Sequence, residues 1–155
     1  MLGKDIDRIK TAQKTREFIK FEVPNLASMA DRDVTSLSSP QLTFSASHSS
    51  GNSQQDMLVN HWSADTALVA IHTAAHHIPN YQHLREIFIL TYFKHFSERT
   101  LEIKFSISNS TLRRRKVKSL VEFAIRLEVQ KEKPQHNCDW LENLIVVKNC
   151  GKNFK

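Results

Sequence analysis

Apolar residues recur at helical spacing through much of the second half of the chain. From Met57 onward, one face carries apolar side chains in steps of four, three, four and three positions, at Ala64, Leu68, Ile71, Ala75 and Ile78. Pro79 and Asn80 predict the end of this helix. The following stretch, 84–96, is apolar on nearly all sides, as expected for a helix that is covered on several faces. The pattern predicts an all-α fold, a small helical bundle.

The stretch TLEIKFSISNSTLRRRK, residues 100–116, permits two interpretations. Leu101, Ile103, Phe105 and Ile107 alternate with polar residues, which is typical of a half-buried strand. Neither a partner strand nor a hairpin turn is evident nearby. We therefore favour two helices separated by a turn, and this choice predicts that Ile103 lies partly exposed, off the main core face.

Serine residues mark the predicted starts of these two helices. The first would begin after Ser97 as N-cap and end near Phe105, and the second would begin at Ser108, because a Ser hydroxyl accepts the N–H groups that a helix start leaves unpaired. Ile107 would fill the turn. The apolar face of the second helix would be Leu112, Leu120, Phe123 and Leu127.

The remaining segments differ in composition. Residues 1–27 predict a basic amphipathic N-terminal helix that ends before Pro24. In the segment 28–56 large apolar residues are sparse, and nine of the 26 residues from 28 to 53 are Ser, so we predict a polar linker. Residues 57–127 form the predicted helical domain, with two helices and a turn at about 97–127, and residues 128–155 form a tail.

From Ile89 to Ala124 the chain resembles the ArpU-like, autolysin-regulatory-type phage transcriptional regulators. The corresponding pieces are ILTYF, LEIKFSISNST and LRRRKVKSLVEFA, and in the linker SSPQL and SSGNSQQD. The resemblance implies a C-terminal part similar to region 4 of sigma factors and control of late phage genes in a bacterial host cell. The chain departs from the family at Glu102, where Ala is usual, at Ser106, where the turn usually has Gly, and at Arg115, which is often aromatic or apolar.

Positive charge is concentrated in the predicted helix-turn-helix. The chain has a net charge of +6, and residues 94–118 alone carry eight Lys or Arg against two Glu. Concentrated positive charge favours a phosphate-bearing partner. Together with the predicted motif, it indicates double-stranded DNA, bound with the second helix in the major groove.

Two sets of side chains are predicted to contact DNA. Those that face away from the apolar face near the start of the second helix are predicted to read bases: Asn109, Ser110, Arg113 and Arg114. The flanking basic and hydroxyl side chains are predicted to contact phosphates: Arg99, Lys104, Ser108, Thr111, Lys116 and Lys118.

Val117, Val121 and Ala124 form a second apolar stripe on the same helix. The tail segment 139–147 or a second copy of the chain, in a homodimer, could cover it, and an intramolecular cover is the favoured choice. The stripe also motivates an alternative function, an adaptor that docks on RNA polymerase with weak or no DNA contact. RNA binding is a third alternative, because a basic helix alone does not distinguish the two nucleic acids.

Other chemistry finds little support in the sequence. His72 and His76 have a spacing that can bind zinc, but HTAAH lacks the Glu of the HExxH motif, and the HNC stretch around His136 and Cys138 is as weak. There is no phosphate-binding or nucleophile motif, so we expect neither an enzyme nor a cofactor or metal. A charged N-terminus and no apolar run of roughly 18 residues predict a cytoplasmic protein without a membrane partner.

Overall fold

The computed structural model describes residues 5–42, 55–134, 136, 138 and 140–148, with the backbone alone given for 55–62. The predicted all-α fold is confirmed. The α-helices of the described residues are α1 (Arg8–Glu17), α2 (Val23–Met29), α3 (Gln55–His76), α4 (Leu84–Phe88), α5 (Glu98–Phe105) and α6 (Asn109–Lys131). Short 3-10 helices cover Val34–Ser38 and Tyr81–His83, and π turns cover Phe18–Glu22 and Ile89–Phe93.

The N-terminal helical segment continues past Pro24, where the sequence predicted its end. The Asp7 side chain accepts the N–H of Lys10 and so starts α1, and the π turn then joins α1 directly to α2. The prediction that the helix ends before Pro24 is wrong. Pro24 lies in the first turn of α2, directly after the π turn, where its missing N–H costs little.

The linker prediction is wrong for residues 28–42. Leu37, in the 3-10 helix, is fully buried, and Val34 and Leu42 pack on the same core. Three side chains of α3 hold this segment: His76 Nε2 bonds to the Leu37 carbonyl at 3.0 Å, His72 Nε2 bonds to the Ser39 carbonyl at 2.7 Å, and Asp65 pairs with Arg32. Of the rest of the predicted linker, residues 43–54 lie outside the described residues, and residues 55–56 belong to the start of α3.

The long helix α6 lies at the centre of the fold. Helices α1, α3, α4 and α5 all pack against it. The core includes a stacked ring pair, Phe88 with Phe123, at a centroid distance of 4.8 Å. A smaller apolar cluster of Ile87, Leu101 and Leu112 lies between α4, α5 and the start of α6. This cluster holds the start of α6 against α4 and α5.

The described part of the tail runs from the end of α6 to the start of α1. Lys131 Nζ donates to the Leu141 carbonyl at 2.7 Å, and the Asp7 N–H donates to the Val146 carbonyl at 2.7 Å. Ile6 and Val147 form an isolated antiparallel bridge. Leu141 and Leu144 are buried in the main core. The described tail residues therefore connect the end of α6 to the start of α1.

Candidate nucleic-acid interface

Two capped helices and a tight turn form the candidate interface. The Ser97 hydroxyl accepts the Thr100 N–H at 3.2 Å and starts α5, and the Ser108 hydroxyl accepts the Thr111 N–H at 3.2 Å and starts α6. Both N-caps were predicted from the sequence. Ser106 ends α5 with φ 54° and ψ 50°, the left-handed conformation that favours glycine.

The apolar residues of this region take the positions that two helices require. Leu101 and Leu112 are fully buried, and Phe105 and Ile107 pack against them. Ile103 is 67% exposed, which confirms the prediction that it lies off the core face. The alternation that suggested a strand therefore arises from a helix followed by a turn.

The carboxylate of Glu98, which is not among the predicted site residues, lies at the centre of this surface. Glu98, in the first turn of α5, accepts hydrogen bonds from one face of α6: from Asn109 Nδ2 at 3.2 Å, Arg113 Nη2 at 3.4 Å and Lys116 Nζ at 2.9 Å. The hydrogen bond from Lys116 is the largest of the effects that lower the pKa of Glu98 to about 2, followed by that from Asn109. Glu98 is therefore ionised at neutral pH.

Glu102, one turn further along α5, makes a simpler contact. Its Oε2 accepts from Asn109 Nδ2 at 2.6 Å. No cation pairs with Glu102 among the described residues. The two carboxylates thus share one amide, but only Glu98 also binds positive charge.

The four residues predicted to read bases do not behave alike. Ser110, Arg113 and Arg114 are exposed, and 68% of the Arg113 side chain is open to solvent. Among the described residues, the hydrogen bond of Arg114 is a long one, 3.4 Å, to the Thr111 hydroxyl. Asn109 is half-buried, and both carboxylates of α5 hold its amide. Its donor group is therefore already used within the protein.

The residues predicted to contact phosphates also divide. Arg99 and Lys104 are exposed on α5, and the Lys104 ammonium lies 5.7 Å from the centre of the Phe105 ring. Lys116 is only 17% exposed and pairs with Glu98, so it does not project as a free cation. The hydroxyls of Ser108 and Thr111 contact each other within the cap of α6.

Arg115 and Lys118 contact the short 3-10 helix Tyr81–His83. Lys118 Nζ donates to the Gln82 side-chain oxygen at 3.2 Å, and Arg115 Nη1 donates to the Gln82 backbone carbonyl at 3.4 Å. Gln82 and His83 both have positive φ angles and directly precede α4. No local sequence signal indicates these contacts or the role of Glu98, because each depends on how separate helices pack.

The second apolar stripe of α6 is covered within one chain. Val121 and Ala124 are fully buried, and Val117 packs partly buried against the same core. The favoured expectation was an intramolecular cover by the tail segment 139–147. The core that covers the stripe is formed by residues of the other helices together with the tail residues Leu141 and Leu144.

The histidines noted in the sequence have structural contacts. His72 and His76 hold the segment that precedes Leu42, and burial lowers the pKa of His72. His136 contacts Gln130 at 3.0 Å beside the end of α6, and burial lowers its pKa as well. Among the described residues, no three His, Cys, Asp or Glu side chains converge as a metal site would require.

The comparisons with known proteins do not indicate a function, which is therefore inferred from the geometry of the interface. No helix in the described part of the chain is both long and apolar enough to cross a membrane. No protein-family model, no curated protein and no solved structure matches the chain.

Proposed function

We propose that the chain is a sequence-specific DNA-binding transcriptional regulator of phage or prophage genes, in which α5 and α6 act as a helix-turn-helix. The observation that carries the proposal is the exposed start of α6. Ser110, Arg113 and Arg114 project from its first two turns, and Arg99 and Lys104 flank them on α5. In a helix-turn-helix these positions face base edges and the adjoining phosphates.

These side chains would contribute to binding in different ways. Arg113 and Arg114 have the forked donors that match the O6 and N7 atoms of guanine. Arg99 and Lys104 supply phosphate contacts, which add affinity and salt dependence but carry no sequence information. Lys116 and Asn109 are not among the direct contacts, because Glu98 and Glu102 already hold them.

Fluorescence anisotropy with labelled duplexes selected from a random-sequence pool tests the proposal. We expect Arg113→Ala combined with Arg114→Ala to weaken binding to a selected duplex by about 1–3 kcal/mol for each guanine that an arginine no longer reaches. Lys133→Ala combined with Lys148→Ala is the matched control, since it removes two exposed cations beyond the far end of α6. An equal effect of the two double variants would contradict the site, and a wild type that enriches no sequence would contradict the function.

The adaptor alternative no longer has the observation that motivated it. It depended on an exposed stripe of Val117, Val121 and Ala124, and two of these three side chains are fully buried in the chain itself.

A competition experiment distinguishes binding to RNA from binding to DNA. A double-stranded RNA of the selected sequence should compete far less well than the DNA, because the deep, narrow major groove of A-form RNA excludes a recognition helix.

A further inference from the structure

Glu98 occupies a position at which a DNA-binding surface would ordinarily avoid negative charge. Its side chain is 35% exposed, and its carboxylate accepts from both Arg113 and Lys116. The residues that contact it on α6, Asn109, Arg113 and Lys116, are spaced by four and three positions and so share one face of the helix. That face is turned toward the first turn of α5.

The carboxylate changes what the two cations can bind. A phosphate that approached Lys116 or Arg113 would meet the negative charge of Glu98 about 3 Å behind them, and like charges repel strongly at such distances. A guanine edge offers acceptors but carries no net charge, so it meets less repulsion. Arg113 directs one NH2 group toward Glu98, which leaves other guanidinium donors for a base edge.

We propose that Glu98 is a specificity-determining residue of the interface, which reserves Arg113 for base edges and withholds Lys116 from the phosphate backbone. This inference rests on the proposed DNA-binding function. Its ligand is double-stranded DNA, and its effect is to lower affinity for duplexes of arbitrary sequence more than affinity for the cognate one. Glu98 acts through Arg113 and Lys116 and does not itself contact DNA.

Glu102 provides a matched comparison for the experiment. Glu98→Gln and Glu102→Gln remove the same charge from neighbouring turns of α5, but only Glu98→Gln frees cations. Binding is measured at several salt concentrations with two probes, a duplex pool of random sequence and the selected duplex. The slope of log K against log salt counts the phosphate contacts, at about 0.9 for each one.

We expect Glu98→Gln to tighten binding to the random pool and to steepen its salt slope by about 0.9–1.8, as one or two released cations reach phosphates. The ratio of affinities for selected and random duplexes should fall. Glu102→Gln should leave the slope of the random pool unchanged. If the two variants change slope and affinity ratio alike, Glu98 acts only through its charge and the inference is overturned.

Lys116→Gln supplies a second variant that keeps the inference testable if Glu98→Gln unfolds the interface. In the wild-type background this substitution should leave the random-pool slope unchanged, because Glu98 already holds Lys116. In the Glu98→Gln background it should reverse part of the increase. A lower slope in the wild-type background would show that Lys116 already contacts phosphate, and would overturn the inference. Failure of the wild type to bind any duplex would instead count against the proposed function.

Discussion

The two halves of α6 differ in what surrounds them. In the second half, from Ser119 to Lys131, side chains on several sides are buried against the other helices and the tail, whereas in the first half only Leu112 is buried. The first half is held by the buried side chain of Leu112, by the Ser108 cap and by polar contacts to Glu98 and Glu102. One half of the helix thus builds the core, while the other presents polar groups whose positions depend on a few hydrogen bonds.

The largest effect expected from a test of this comparison is at Phe123, in the buried half. Phe123 is fully buried and stacks on Phe88, so Phe123→Ala removes a ring from the core and leaves a cavity. We expect the free energy of unfolding to fall by about 3–5 kcal/mol. Urea denaturation followed by circular dichroism measures it.

Ile103→Ala is the control for that experiment. It also truncates a large apolar side chain, but one that is 67% exposed on α5. We expect a change within about 0.5 kcal/mol, as for other surface substitutions. A loss of stability at Ile103 comparable to that at Phe123 would mean that this face of α5 is covered in solution.

The difference between the two halves also explains how much the sequence could predict. The caps at Ser97 and Ser108 were predictable, because a cap depends on residues within one turn of each other. The buried faces of α3 and α6 were predictable from their spacing. Both kinds of signal are local, and together they were enough for the fold class.

Contacts between distant residues were not predictable. Leu37 lies in a Ser-rich stretch that resembles a linker, yet His76, 39 residues later, bonds to its carbonyl. Lys116 lies in a basic run and is expected from the sequence to be a solvated cation. It pairs instead with Glu98, which lies 18 residues earlier, across the turn. The sequence alone carries no mark of either pairing, because each arises only when the helices pack.

The polar half of α6 should make the stability of the protein depend on pH. The pKa of Glu98 is lowered to about 2 from 4.5, so ionised Glu98 stabilises the folded state above pH 4.5, and this contribution is lost as the pH falls from there toward 2. Since the carboxylate is partly exposed and screened by solvent, each ion pair contributes no more than about 1 kcal/mol.

Urea denaturation of the wild type and of Glu98→Gln at several pH values checks this dependence. The wild type should be more stable at pH 7, by about 1 kcal/mol, and the difference should shrink as the pH approaches 2. A difference that stays constant between pH 7 and pH 3 would mean that the carboxylate charge contributes nothing to the stability of α5 and α6.

A smaller stabilising effect is expected at Ser106, in the turn that sets how α5 meets the polar half of α6. Its φ of 54° is costly for a residue with a Cβ atom, by about 1–2 kcal/mol, and Ser106→Gly removes that cost. The greater freedom of glycine in the unfolded chain offsets about 0.5–1 kcal/mol of the gain. A net stabilisation of about 0.5–1 kcal/mol should remain, measured by urea denaturation.

Ser106→Ala retains the Cβ atom and should give no such gain. If Gly and Ala act alike, the left-handed turn is not the conformation adopted in solution, and the alignment of Glu98 with Lys116 and Arg113 would then have to come from the apolar contacts of Leu101 and Leu112 alone.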